Sequence, residues 1–346
     1  MQNNPYSLLF GKEPKQMISR MSDLAVVTES FTAEEPTQQI YMITGVRGCG
    51  KTVFMSEAAK IIRELKEWVV VELNPERNLL IDLAEKLNSD RVLAEFFRQA
   101  QINLSFLGIG VDIGGVNPIT NIEVALERML THLKKRGKRV LVTIDEVVSN
   151  AYVREFAHSF QMFIRNDLPI FLLMTGLYEN IHVLQNEKSL TFLYRAPKID
   201  LKPLSIRTIA DNYQENFQLD RDAAMEMAKM TGGYSFAFQV LGYFTWENNG
   251  DFRTVENTYR NYLADYSYDK IWTELSAEDR RVSYGIAMSS DGRIAEIRKR
   301  LEMDTNHFNP YRKRLIRKGI VNGEEYGIVR FVLPFFGEYV LENYDG

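Results

Sequence analysis

Apolar residues along the chain fall into short, nearly continuous runs separated by segments of helical period. Gln39–Thr44, Trp68–Leu73, Arg139–Asp145 and Pro169–Thr175 are apolar at most positions, and Lys198–Leu201 is a shorter candidate of the same kind. A strand with one wet face alternates, whereas a strand covered on both faces reads as an unbroken apolar run. Between the runs, residues 52–66, 78–100, 122–136 and 151–166 repeat their apolar positions every three to four residues, as one side of a helix does. Strands and helices in alternation predict an α/β fold built on a parallel sheet covered on both faces.

Two stretches break the pattern. Residues 101–117 alternate and are rich in glycine, which predicts a hairpin inserted between the second and third core strands. The hairpin has no basic residue, and its Phe106, Leu107, Ile109 and Val111 fit either a partner surface or a cover on the core. After Pro203 the strands stop, and 205–264 reads as helices broken at Gly232-Gly233. Residues 277–288, 293–303 and 306–318 read as three further helices, followed by a strand pair across Gly323 and Gly327 and a last helix. That order predicts a winged helix. The expected organisation is therefore an N-terminal segment at 1–38 with a short helix near 15–30, a core at 39–204, a helical lid at 205–264 and a winged-helix domain at 265–346.

Length and charge narrow the picture. A chain of 346 residues exceeds one ordinary domain. The net charge of −4 rules out a globally basic surface, so nucleic acid could be met only by a local patch. A single cysteine, Cys49, excludes an internal disulfide framework and fits a reducing compartment. The first residues lack a continuous apolar core, and no later run approaches 18 apolar residues, so a cytoplasmic protein is expected.

The strongest chemical signal is Gly45-Val-Arg-Gly-Cys-Gly-Lys-Thr52, which fits G-x-x-x-x-G-K-[ST] at every fixed position. Its glycines let successive backbone N–H groups turn inward around phosphates, and the following helix adds its positive end. Lys51 is expected on the β- and γ-phosphates of ATP, and the Thr52 hydroxyl on Mg²⁺. The loop from Gly45 through Val46, Arg47, Gly48, Cys49 and Gly50 to Lys51, Thr52 and Val53 is the candidate nucleotide site, with Cys49 turned away from the phosphates. Chance produces this motif in roughly one chain of such length in a hundred, and here a strand precedes it and a helix follows.

Roughly 90 residues on, the apolar strand Val140–Ile144 ends in Asp145-Glu146. A strand-end aspartate is the carboxylate that holds the magnesium shell, and Glu146 can polarise water for attack on the γ-phosphate. Thr175, at the end of the next apolar strand, is a candidate to orient that water; the alternative is a cap for Gly176. Within 293–318, Arg293, Arg298, Lys299, Arg300, Arg312, Lys313, Arg314, Arg317 and Lys318 face Glu296, Glu302 and Asp304, a net charge of +6. Asn306, His307 and Asn309 suit base edges, and Arg312, Lys313 and Arg317 suit phosphates of double-stranded DNA. A winged helix can equally serve as a protein-interaction or autoinhibitory module, and both readings stand.

With these residues assembled, the chain resembles AAA+-type P-loop ATPases, in particular the prokaryotic group related to origin-recognition initiators and to STAND signalling ATPases. The carriers are TGVRGCGKT, VLVTIDE, FLLMTG, Leu193–Leu204 and Thr231–Gly242. The resemblance implies that Arg195 acts as an arginine finger, in its own site or in that of a neighbouring copy; a salt-bridged rim residue is the alternative. It implies that Ile18-Ser-Arg20 lies near the adenine, so that the N-terminal segment packs at the nucleotide site. Two departures count against the usual lid coupling of this group: no arginine opens the helix after Gly233, and Ser235 stands where STAND-like members often place proline.

Overall fold

The computed structural model describes residues 3–9, 14–110 and 112–344. The chain divides into two compact units: Met21–Thr44 with Lys51–Asp200, and Met1–Arg20 with Gly45–Gly50 and Leu201–Gly346.

The first unit is the α/β core. Its strands β1 (Ile40–Thr44), β2 (Trp68–Leu73), β3 (Arg139–Ile144), β4 (Ile170–Gly176) and β5 (Lys198–Asp200) form a five-stranded sheet in the order β2-β3-β4-β1-β5. Every pairing is parallel. All residues of β1 and β4 are buried, as unbroken apolar runs require. Helices α1 (Met21–Thr32) and α2 (Lys51–Arg63) precede β2, and Phe31 of α1 meets Tyr41 and Phe171 of the sheet edge-to-face. The alternate side chains Met42, Val140, Val142, Leu172 and Met174 join one core with α3 (Leu79–Ser89), α5 (Ile122–Lys135) and α6 (Ala151–Arg165). Helix α7 (Tyr178–Gln185) follows β4 and adds Ile181 and Leu184 to that core. Among the described residues, no helix is long and apolar enough to cross a membrane.

Two details depart from the sequence reading. The helical stretch 78–100 is two helices, because Asp90 ends α3 in an extended conformation and its carboxylate caps α4 (Arg91–Gln99) through Val92 N and Leu93 N. The expected hairpin at 101–117 is absent among the described residues; the segment is a loop around one 3₁₀ turn, Ser105–Leu107. Asn103 organises it. Fully buried, its amide donates to Asp112 Oδ1 and Val116 O, both at 2.8 Å, and its Oδ1 accepts from Ser105 N. Ile102, Leu104 and Ile109 enter the core and Leu107 packs on it, whereas Phe106 is exposed; Val111 lies outside the described residues. The loop buries Ile102, Asn103 and Leu104 in succession and then Ile109, with an asparagine in place of a strand ladder.

The second unit holds α8 (Ile206–Phe217), α9 (Arg221–Met230), α10 (Ser235–Glu247) and α11 (Glu256–Leu263). A π-helical turn, Ala264–Tyr268, then leads into α12 (Asp269–Thr273). After it come α13 (Ala277–Ala287), α14 (Ile294–Leu301), α15 (Thr305–Arg317), the antiparallel pair β6 (Val321–Asn322) and β7 (Arg330–Phe331), and α16 (Phe336–Asn343). A bridge between Arg293 and Ile328 adds a third rung, which completes a winged helix. One apolar core runs from Tyr213 and Phe238 through Tyr259 and Tyr268 to Phe308 and Phe336. The buried tyrosines keep acceptors: Tyr213 donates to Phe238 O at 2.7 Å, Tyr259 to Met230 O at 3.0 Å and Tyr268 to Pro334 O.

Candidate functional site

In the core unit the chemistry gathers at the carboxyl ends of the central strands. Strand β4 lies between β1 and β3, and its register sets Ile144 opposite Met174, so that Asp145 stands level with Thr175. The Thr175 hydroxyl is fully buried and donates to Asp145 Oδ1. The Glu146 N–H is shared between Asp145 Oδ1 at 3.0 Å and Thr175 Oγ1 at 3.2 Å. The other Asp145 oxygen, Oδ2, accepts from Thr52 Oγ1 at 2.6 Å. One carboxylate thus joins the first turn of α2 to the ends of β3 and β4.

Glu146 adopts φ +51°, the left-handed region that side chains other than glycine avoid at about 1–2 kcal/mol. Its shared N–H bond holds it there, while its side chain is exposed. Thr175 thus bonds both the Asp145 carboxylate and the Glu146 backbone.

Gly45–Gly50 belong to the second unit, as does Arg20. Gly48 and Gly50 have φ +75° and +94°. The Arg20 guanidinium donates to Cys49 O and Lys202 O, each at 3.0 Å, and to Ser235 Oγ at 3.3 Å. Arg20 thus braces the outer, carbonyl side of the loop. Cys49 is buried, and a Cβ on Gly45 would come within 2.5 Å of its Sγ, so that sulfur fills the space beneath the loop's first glycine. Arg47 pairs with Glu274 at 2.9 Å, and Val46 lies against Gly319. Lys51 and Val53 stand in the first turn of α2.

Arg195 closes a 3₁₀ turn, Thr191–Arg195, just before β5. Its side chain is exposed. In the winged helix the basic residues divide. Arg314 pairs with buried Asp279 at 2.7 Å, Arg312 donates to Gly323 O at 3.2 Å and Arg298 to Met303 O at 3.3 Å. Arg312 is thus turned to the base of the wing. Asn306, His307, Lys313 and Arg317 are exposed, Asn309 is half-buried, and His307 Nε2 lies 4.0 Å from the Glu278 carboxylate. The sequence reading missed Tyr234 as a loop contact and took Ser235 only as a departure from the usual proline; their hydroxyls bond to the loop at Arg47 O and Cys49 O.

Comparison with known proteins agrees with this geometry. Residues 20–191 match the family described as an ATPase domain predominantly from Archaea, and 266–340 match a domain family of unknown function. No curated protein matches the chain. Among solved structures of similar fold is the Walker-type ATPase PABY2304 of Pyrococcus abyssi, at a TM-score of 0.61 and 15% identity, covering 94% of this chain and 96% of that one. Another is the ORC2 protein of Aeropyrum pernix, solved in ADPNP–ADP complexes, at a TM-score of 0.61 and 14% identity, covering 96% and 94%. At such identities the likeness concerns the fold: a parallel P-loop core, a helical lid and a winged-helix-like C-terminal region. Over residues 20–191 this chain is therefore similar to the predominantly archaeal, AAA+-like ATPase domain family.

Proposed function

We propose that the chain binds Mg²⁺·ATP at the Gly45–Thr52 loop, hydrolyses it, and uses the change to switch its C-terminal winged helix. The observation that carries this reading is the 2.6 Å bond between Thr52 Oγ1 and Asp145 Oδ2. Two hard oxygens, from motifs far apart in sequence and each expected on the same ion, lie side by side. Magnesium keeps most of its waters and asks for only one or two protein oxygens. That fits a site where, among the described residues, no three His, Cys, Asp or Glu side chains gather.

Thr52 and Asp145 would hold the ion, which would supply positive charge to offset that of the bound phosphates. Lys51 brings its ammonium to the same phosphates. Glu146 accepts a proton from the attacking water, and Thr175 holds Asp145 and the Glu146 backbone in place. Exposed Arg195 stabilises charge on the γ-phosphate of its own or a second copy's nucleotide. The ADPNP–ADP complexes of the A. pernix protein support a nucleotide as the ligand. The test is binding of Mg²⁺·ATP by the wild type and Lys51→Ala. Loss of two charge-assisted hydrogen bonds at about 1.5 kcal/mol each predicts roughly 100-fold weaker binding. Unchanged affinity would remove the site assignment.

The finer reading is that the winged helix binds double-stranded DNA through the outward face of α15, where Asn306, His307, Lys313 and Arg317 are exposed. A second reading has its own observation: the wing tip carries Glu324, Glu325 and a fully exposed Tyr326, a surface that repels phosphate and suits a protein partner. Binding of duplex DNA by the full chain, titrated with salt, separates the two. A linear fall of log affinity with log salt supports DNA; no binding at about 50 mM salt, with or without ATP, favours the protein partner.

A further inference from the structure

Three consecutive carbonyls of the phosphate loop are each held by a donor from three consecutive residues. Arg47 O accepts from Tyr234 Oη at 2.7 Å, Gly48 O from the Phe236 N–H at 3.1 Å and Cys49 O from Ser235 Oγ at 2.9 Å. The fit is close: a Cβ on Gly48 would come within 2.3 Å of the Tyr234 hydroxyl and 3.0 Å of the Phe236 Cβ. The peptide planes of Arg47 O and Cys49 O carry the Gly48 and Gly50 N–H groups expected on the phosphates, whereas the Cys49 N–H, on the plane of Gly48 O, donates to Val46 O at 3.2 Å. A peptide whose N–H turns toward a phosphate must turn its carbonyl the opposite way, toward residues 234–236.

The chain of bonds continues beyond residues 234–236. The Tyr234 hydroxyl, buried at 3% exposure, also bonds to Ser267 Oγ at 2.7 Å. Ser267 lies in the π-helical turn Ala264–Tyr268, which joins the lid helices to the winged helix. Such turns are widened helix geometry, rare outside functional positions. A loop side chain makes a parallel connection, since Arg47 pairs with Glu274 just after α12. Val46 lies against Gly319 at the end of α15.

We propose that Tyr234, Ser235 and Phe236 form a clasp that senses the conformation of the phosphate loop and transmits it, through Ser267, to the turn 264–268 that leads into the winged helix. The proposal rests on the nucleotide reading above and adds a route for the switch, using hydroxyls where the sequence lacks a lid arginine. Hydrogen bonds in series polarise one another, so phosphate on the N–H side strengthens the bonds on the carbonyl side. Nucleotide therefore tightens the clasp. Tyr234 acts on the reaction only through the loop, as a positioning residue.

The test is hydrogen–deuterium exchange of the full chain with and without Mg²⁺·ADP, beside a direct binding measurement. In the wild type, nucleotide slows exchange of the Phe236 amide and of 264–268 by at least about five-fold. In Tyr234→Phe, at Mg²⁺·ADP concentrations that saturate the variant, nucleotide still slows Phe236, but 264–268 no longer responds. Ser267→Ala, which leaves the bond to Arg47 O intact, gives the same loss and serves if Tyr234→Phe fails to fold. Binding without any response at 264–268 in the wild type overturns the clasp alone, as does an undiminished response in the folded variants. No binding by the wild type overturns the nucleotide reading and the clasp with it.

Discussion

Replacing Thr175 by valine deletes one hydroxyl at nearly constant volume. The bond it removes is to a carboxylate, worth about 1.5–3 kcal/mol, and the extra methyl in a fully buried position returns up to about 0.8 kcal/mol. A net loss of about 1–2 kcal/mol remains. At 2–4 °C per kcal/mol for a unit of this size, the melting temperature should fall by roughly 2–8 °C. The same loss falls on Asp145, which Thr175 no longer holds. The Mg²⁺ concentration that half-saturates ATP binding should then rise about 5–30-fold. The assay is a Mg²⁺ titration of a fluorescent ATP analogue, with thermal unfolding measured on the same samples. An unchanged Mg²⁺ requirement with slowed turnover would show that Thr175 orients water and not Asp145. No change in either would refute the network.

Further outcomes follow from individual residues. Asp145→Asn should weaken Mg²⁺-dependent ATP binding by about tenfold or more, because it removes the charge beside Thr52; a titration that matches the wild type would contradict this. Arg195→Ala should slow hydrolysis by about 10³-fold, and if the arginine serves a second copy, mixing with Glu146→Gln subunits restores activity; concentration-independent turnover without rescue points to its own site. In the full chain, Lys313→Ala with Arg317→Ala should lower the salt slope of DNA binding by about one unit for each phosphate that is no longer neutralised, and an unaltered slope would place DNA elsewhere.

The core was legible because burial on both faces leaves a plain record in β1, β3 and β4, and the half-covered β2 and the short, exposed β5 also lie within a residue of where the sequence puts them. The pairing of Asp145 with Thr175 was half legible, since each marks the end of a strand but their shared level depends on β4 lying beside β3. Loop 101–117 misled because apolar residues can enter the core without a ladder when one buried side chain, Asn103, supplies the hydrogen bonds. Charge counting over 293–318 overstated the basic surface. It registers Arg314 as free positive charge, whereas the Asp279 carboxylate offsets it, and it cannot show that Arg312, still charged, is turned to the Gly323 carbonyl. The clasp left almost no local trace, because Ser235 and Cys49 are 186 positions apart and hydroxyl-to-carbonyl bonds constrain residue type weakly.

On the proposed function, this chain hydrolyses ATP with Glu146 as the base. Single-turnover hydrolysis of radiolabelled ATP, compared between the wild type and Glu146→Gln at matched occupancy, tests it most directly. The variant should bind Mg²⁺·ATP within about two-fold of the wild type and release phosphate at least roughly 10²-fold more slowly. Equal rates in the two proteins, or no phosphate release by the wild type at full occupancy, would contradict it.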